Sequence, residues 1–109
     1  MVKVKWSKEA IENIFEIREY YMKVSPKFSE LLTDQIFEKE DLLVSFPKIG
    51  RIVPELNNEN IREIIFKNYR IIYLLFEENN VNIIAVHNSS KPLSEGSIFG
   101  WGKNLEESC

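Results

Sequence analysis

The stretch Tyr69–Phe76 constrains this chain more than any other. Tyr69, Ile71, Tyr73 and Leu75 fall on one side of an extended backbone, and Ile72, Leu74 and Phe76 on the other. A strand that is apolar on both faces has to be central in its sheet and covered on both sides. Its neighbours fit that position. Ile61–Phe66 and Val81–Asn88 read as strands, and the connections Lys67-Asn68 and Glu78-Asn79-Asn80 are short enough for hairpins. The expected unit is an antiparallel meander with Tyr69–Phe76 in the middle. Arg51–Val53 reads as a short extended piece before Pro54, and Asn57-Asn58-Glu59-Asn60 as a turn cluster.

The N-terminal part supplies one cover. Val2, Val4 and Trp6 alternate with Lys3 and Lys5, the pattern of a half-buried strand. Ser7 follows as a helix N-cap, with Glu9 and Glu12 where a helix N-terminus favours negative charge. Ile11, Ile14, Phe15, Arg18 and Tyr21 form a helical stripe, and the helix is expected to stop near Val24. Ser25-Pro26 restarts a helix, with Ser as cap and Pro at the first helical position. That second helix carries Phe28, Leu31, Leu32, Ile36, Leu43 and Phe46 and ends at Pro47. The fold class is therefore α+β, with two N-terminal antiparallel helices packed on a small antiparallel sheet. The second sheet face is less provided for. The tail, Leu93 to Cys109, offers Ile98, Phe99 and Trp101 among Gly96, Gly100 and Gly102. Either this tail completes the core or a partner chain covers the face. The domain is read as residues 1–93, and 94–109 as a glycine-containing tail.

Composition narrows the function classes. The chain has 109 residues, enough for one domain. Its single cysteine, Cys109, excludes a disulfide scaffold and a cysteine-based metal site, and its single histidine, His87, argues against a histidine-based one. No metal or cofactor is expected. No apolar run approaches the about 20 residues of a membrane span, and the N-terminus does not resemble a signal peptide, so a cytoplasmic location without membrane partners is expected. The net charge of -3 argues against binding nucleic acid by bulk charge alone. The charge is nevertheless uneven. Pro47 to Leu93 holds six basic and five acidic residues, against seven and nine before it, so an anionic target is best met at the sheet half.

No phosphate-binding glycine loop, metalloprotease helix or nucleophile elbow occurs. The polar residues of the sheet half are Lys48, Arg51, Glu55, Arg62, Arg70, His87 and Lys91. Arg70 lies in the central strand on the face of Ile72, Leu74 and Phe76, where a guanidinium needs a partner. It is either a clamp for a phosphate or carboxylate or an internal ion pair with Glu63 or Glu55. His87, at a strand end, is placed either for acid–base chemistry or as a hydrogen-bonded structural histidine. Glu55 in its loop is a candidate base or a partner of a nearby arginine.

The stretch from Phe46 to Leu93 carries a pattern: Pro47, Gly50-Arg51, Pro54-Glu55, Ile61-Arg62-Glu63, Tyr69-Arg70 with Tyr73, then His87. With the preceding WSKEA and two helices, it resembles the RelE/ParE superfamily of bacterial toxins over about Val2 to Leu93. The resemblance implies a toxin of a type II toxin–antitoxin (plasmid stabilisation) system that arrests growth and is neutralised by a cognate antitoxin. The superfamily divides by activity. ParE-like members inhibit DNA gyrase without being enzymes, whereas RelE-like members cleave mRNA on the ribosome. For a nuclease, the resemblance implies Glu55 as base, Arg70 and Arg62 as phosphate stabilisers and His87 as acid. For target binding, Lys48, Arg51 and Lys91 are the candidates. The GR-x-VPE, IRE and YR-x-x-Y wording and the acidic composition place the chain nearer ParE than RelE. A toxin-like domain that only binds antitoxin is the third reading.

Overall fold

The computed structural model describes residues 2–90; Lys91 and the tail that sequence reasoning offered as a lid lie outside the described residues. The elements run β1 (Lys3–Trp6), α1 (Lys8–Met22), α2 (Pro26–Phe37), α3 (Lys39–Ser45), β2 (Arg51–Ile52), β3 (Ile61–Phe66), β4 (Tyr69–Phe76) and β5 (Asn80–Asn88). They form an α+β fold with one five-stranded sheet in the order β1-β5-β4-β3-β2. Strand β4 is third of the five, as its two apolar faces require.

The pairs from β2 to β5 are antiparallel, in register Glu63↔Ile72 and Ile65↔Arg70 between β3 and β4, and Arg70↔His87 between β4 and β5. Strand β1 differs. It lies parallel to β5, from Lys3↔Asn80 to Trp6↔Ile83, so the sheet is mixed rather than wholly antiparallel. A parallel pair needs a long crossover, and here the whole helical layer and the meander separate its two strands. Between β4 and β5 the register jumps from Ile72↔Ala85 to Tyr73↔Ile83. The extra residue, Ile84, joins Ala85 in the same buried cluster.

Both helix starts form as their cap residues dictate. The Ser7 hydroxyl accepts from the Ala10 N–H at 3.1 Å and donates to the Ile84 carbonyl at 2.7 Å, so one cap also ties α1 to β5. Ser25 accepts from the Phe28 N–H at 3.2 Å, ahead of Pro26. The second expected helix is in fact two. Its ladder breaks at Glu38, where α3 begins without a side-chain cap. Trp6 holds that corner. Its ring packs 5.0 Å from the Phe37 ring, and its indole N–H donates to Glu40 at 2.7 Å.

The first face of the sheet carries the main core. Ala10, Ile14 and Ile17 of α1 and Leu32, Ile36 and Leu43 of α2 and α3 pack on Tyr69, Ile71, Tyr73, Val81, Ile83 and Val86. The inward stripe of α1 is thus rotated from the expected one. Phe15 and Arg18 face outward, and Ala10 and Ile17 take inward places beside Ile14. The helix pairing is tied there by buried Ser29, which donates to the Arg18 carbonyl at 2.7 Å. The second face is covered from a source that the sequence reading did not credit. Val53 and Leu56, in the segment between β2 and β3, pack on Ile61, Ile72, Leu74, Ile84 and Ala85.

Gly50 shows how tightly that segment is anchored. Its N–H donates to the Tyr73 hydroxyl at 2.9 Å in the interior. A Cβ there would lie 2.6 Å from the Glu63 carbonyl oxygen and 2.7 Å from the Tyr73 oxygen, closer than real contacts allow. Gly50→Ala is therefore expected to destabilise the fold by about 1–3 kcal/mol, the usual range for overpacking. Urea unfolding checks this through a lowered midpoint at unchanged slope.

Candidate functional site

The Val53–Leu56 cover leaves one polar island on the second sheet face. Residues 63 and 70 are diagonal neighbours there, because the Lys67-Asn68 turn sets Ile65 opposite Arg70 and Glu63 opposite Ile72. Lys67 makes the turn with a positive φ of 53°. Arg70 donates from Nε to Glu63 Oε1 at 2.6 Å. Its Nη1 and Nη2 donate to the two Glu55 oxygens, each at 2.7 Å, a bidentate fork. Arg51 donates from Nε to Glu63 Oε2 at 2.6 Å. Two arginines and two glutamates thus form a continuous, charge-neutral chain. The Glu63 side chain is fully buried, that of Arg70 is 8 % exposed and that of Arg51 is 60 % exposed.

This arrangement sets the protonation states. The hydrogen bonds from Arg70 hold the Glu55 carboxyl down at about 2, against some opposition from burial. The Glu55 hydrogen bonds, joined by those of Glu63, push the Arg70 guanidinium above its ordinary value. Burial raises the Tyr73 hydroxyl, although its bond to the Gly50 N–H works the other way. Chemically, Glu55 is an ionised and occupied carboxylate, a poor proton acceptor at neutral pH. Arg70 is a cation already matched by two carboxylates, so an incoming phosphate has to displace Glu55.

The residues named from sequence do not gather at one point. Glu55 and Arg70 meet, with Arg51 one carboxylate away. His87 stands directly opposite Arg70 in the β4–β5 ladder and so leaves the same sheet face beside it, and it also lines a cleft of about 520 Å³ between α1 and β5, together with Asn13, Glu16, Tyr20 and Tyr69. Arg62 is paired across from Tyr73, one residue out of phase with Glu63. Its guanidinium clasps main-chain carbonyls: Glu59 at 3.1 Å, Gly50 at 3.0 Å and Lys48 at 3.5 Å. Lys48 is exposed, and Lys91 lies outside the described residues. The residue that organises the island, Glu63, entered the sequence reading as a possible partner of Arg70 and within the Ile61-Arg62-Glu63 pattern, with no role of its own. Its signal was the pairing arithmetic of a two-residue turn, which puts 63 and 70 on the same face.

Sequence comparison now decides the family. The profile of the ParE toxin of the type II toxin–antitoxin system, parDE, matches residues 4–92. The chain belongs to the ParE toxin family. Among solved structures, the ParE-family chain is similar to one described as the chromosomal ParDE TA system from P. aeruginosa. That likeness has a TM-score of 0.68 at 15 % identity, over 81 % of this chain and 96 % of the other. At that identity it shows a shared fold. No curated protein matches the chain. Within this ParE fold, the buried Glu63–Arg70 pair and the Val53–Leu56 cover hold the second sheet face closed. Among the described residues, no helix is long and apolar enough to cross a membrane.

Two outcomes follow for the ion-pair island. Arg70→Leu strands the buried Glu63 carboxylate with a single solvent-facing partner. A loss of about 3 kcal/mol is expected, and Arg70→Leu with Glu63→Leu recovers most of it. Denaturant midpoints of the single and double variants measure the coupling. The second outcome concerns acid. Glu55 titrates lower in the folded chain than its ordinary 4.5, so its contribution is complete above that value and fades as pH falls towards about 2. Thermal melts across that window should show a stability slope that Glu55→Gln reduces.

Proposed function

We propose that this ParE-family toxin acts by binding its target, with DNA gyrase as that target, and that a cognate antitoxin neutralises it. The observation that carries the non-enzymatic reading is the occupancy of Arg70. In-line RNA cleavage needs a base able to take the 2′-hydroxyl proton and a cation available to the phosphate. Here the candidate base and the candidate cation are bonded to each other at 2.7 Å. The second phosphate stabiliser implied by the RelE resemblance, Arg62, spends its donors on loop carbonyls. Under this reading Glu55 and Arg70 are structural, and the exposed Lys48 and Arg51, with Lys91, are the charged residues offered to the target. Growth arrest and a cytoplasmic site of action belong to the same proposal.

Inducible expression tests it. Growth should stop, and the purified chain should inhibit plasmid supercoiling by gyrase in vitro. Lys48→Glu with Lys91→Glu should weaken that inhibition about tenfold or more, since the loss of buried charge pairs at interfaces is worth at least that much. Primer extension on cellular messages should show no new ends. Message cleavage that disappears in His87→Ala or Glu55→Gln would establish the nuclease instead. Normal growth with intact supercoiling would leave only the antitoxin-binding domain.

A further inference from the structure

The cleft between α1 and β5 has a chemistry that the ion-pair island does not share. Strand β1 pairs with β5 only as far as Trp6↔Ile83, and among the described residues no strand follows the outer edge of β5 beyond it. Helix α1 takes over that edge. The Val86 N–H donates to Asn13 Oδ1 at 3.0 Å. In an antiparallel strand a residue's carbonyl points to the same side as its N–H, so the Val86 carbonyl also faces α1. The cleft of about 520 Å³ lies between this stretch of β5 and the helix.

Its lining combines aromatic rings with negative charge. Glu9, Asn13, Glu16 and Tyr20 recur at helical spacing and share one side of α1. Tyr21 and Tyr69 join Tyr20 to make three tyrosines. The Tyr20 and Tyr21 rings meet edge to face with centres 4.9 Å apart, and Tyr20 is 64 % exposed. Burial, helped by a hydrogen bond with Tyr21, raises the Tyr69 hydroxyl, so that phenol stays neutral. The chain has 14 lysines and arginines, yet among the described residues none lines the cleft. Glu9 is engaged within the fold, whereas Glu16 has no ion-pair partner among the described residues.

These features select an occupant. An anion would meet two carboxylates. A metal ion would need several ligands converging on one point, and no such group of histidine, cysteine or acidic residues occurs among the described residues. An organic cation suits both parts of the lining, because its charge answers the carboxylate and tyrosine faces attract it and its carbon stem. We propose that this cleft binds an alkylammonium group. The Glu16 carboxylate and the Val86 carbonyl accept its N–H groups, and the tyrosine rings lie against its methylenes. The inference is independent of what the toxin inhibits.

The test titrates the full chain, isotope-labelled, with three probes: cadaverine, the diol with the same carbon chain, and a capped glycine-lysine-glycine peptide. Cadaverine should bind saturably and shift the amide signals of Glu16, Tyr20, Val86 and Asn88. The diol should not. Glu16→Gln should weaken cadaverine about tenfold by removing a charge-assisted hydrogen bond. Tyr20→Leu should weaken it about threefold, the worth of a cation–π contact at an exposed ring. Both positions are exposed, so the variants should melt as the parent chain does. Tighter binding of cadaverine would assign the site to free amines, and tighter binding of the peptide to a lysine side chain of another protein. Four results would each overturn the proposal. They are equal binding of the diol, shifts confined to another face, an affinity unchanged in Glu16→Gln, and no saturable binding of either amine.

Discussion

Glu63 is a carboxylate with no solvent exposure, and the second face of the sheet is arranged around its charge. A buried ion is tolerated when opposite charges and hydrogen bonds surround it. Both Glu63 oxygens have an arginine at 2.6 Å, one from β4 and one from β2. Arg51 thereby pins a two-residue strand that would otherwise have little reason to stay. Arg70 then recruits Glu55, and Glu55 carries Val53 and Leu56 with it across the apolar surface of Ile72 and Ile84. One buried charge thus explains the short strand, the folded-over segment and the closure of that face.

The same network bears on chemistry. In a sequence that resembles the RelE/ParE toxins, an arginine and a glutamate at these places invite a catalytic interpretation. Their mutual fork makes the interpretation costly, since each would have to lose its partner before meeting a substrate. The exposed surface outside the island includes Lys48 and the open part of β3. Those are surfaces suited to contact with other macromolecules.

Much of this was legible beforehand, and the reasons differ from residue to residue. The two apolar faces of Tyr69–Phe76 required a central strand whatever the rest did. Ser7 and Ser25-Pro26 marked helix starts because capping is a local matter. That Arg70 needs a partner followed from placing a guanidinium among apolar neighbours, with an internal ion pair as one of two open readings. The misjudged parts depend on long-range geometry. The orientation of β1 is set by where the crossover ends, which no local pattern records. The rotated stripe on α1 is set by how the helix pair packs on the sheet, which the sequence of α1 alone does not record. Val53 and Leu56 were overlooked as a cover because two apolar residues in a polar loop look incidental until Glu55 is seen to be anchored.

The parallel pairing of β1 with β5 also bears on the order of assembly. Lys3 finds its partner at Asn80, across nearly the whole described chain, whereas the α1–α2 hairpin and the β3–β4 turn need only near neighbours. Contacts of long sequence separation form late, after local elements are in place. During synthesis the first strand has to wait, with Val2, Val4 and Trp6 uncovered, until the last one has emerged from the ribosome. The finished surface of this toxin is therefore a late product of translation, and a chain stalled before β5 would lack one edge of its sheet and the Ile84 anchor of its first helix.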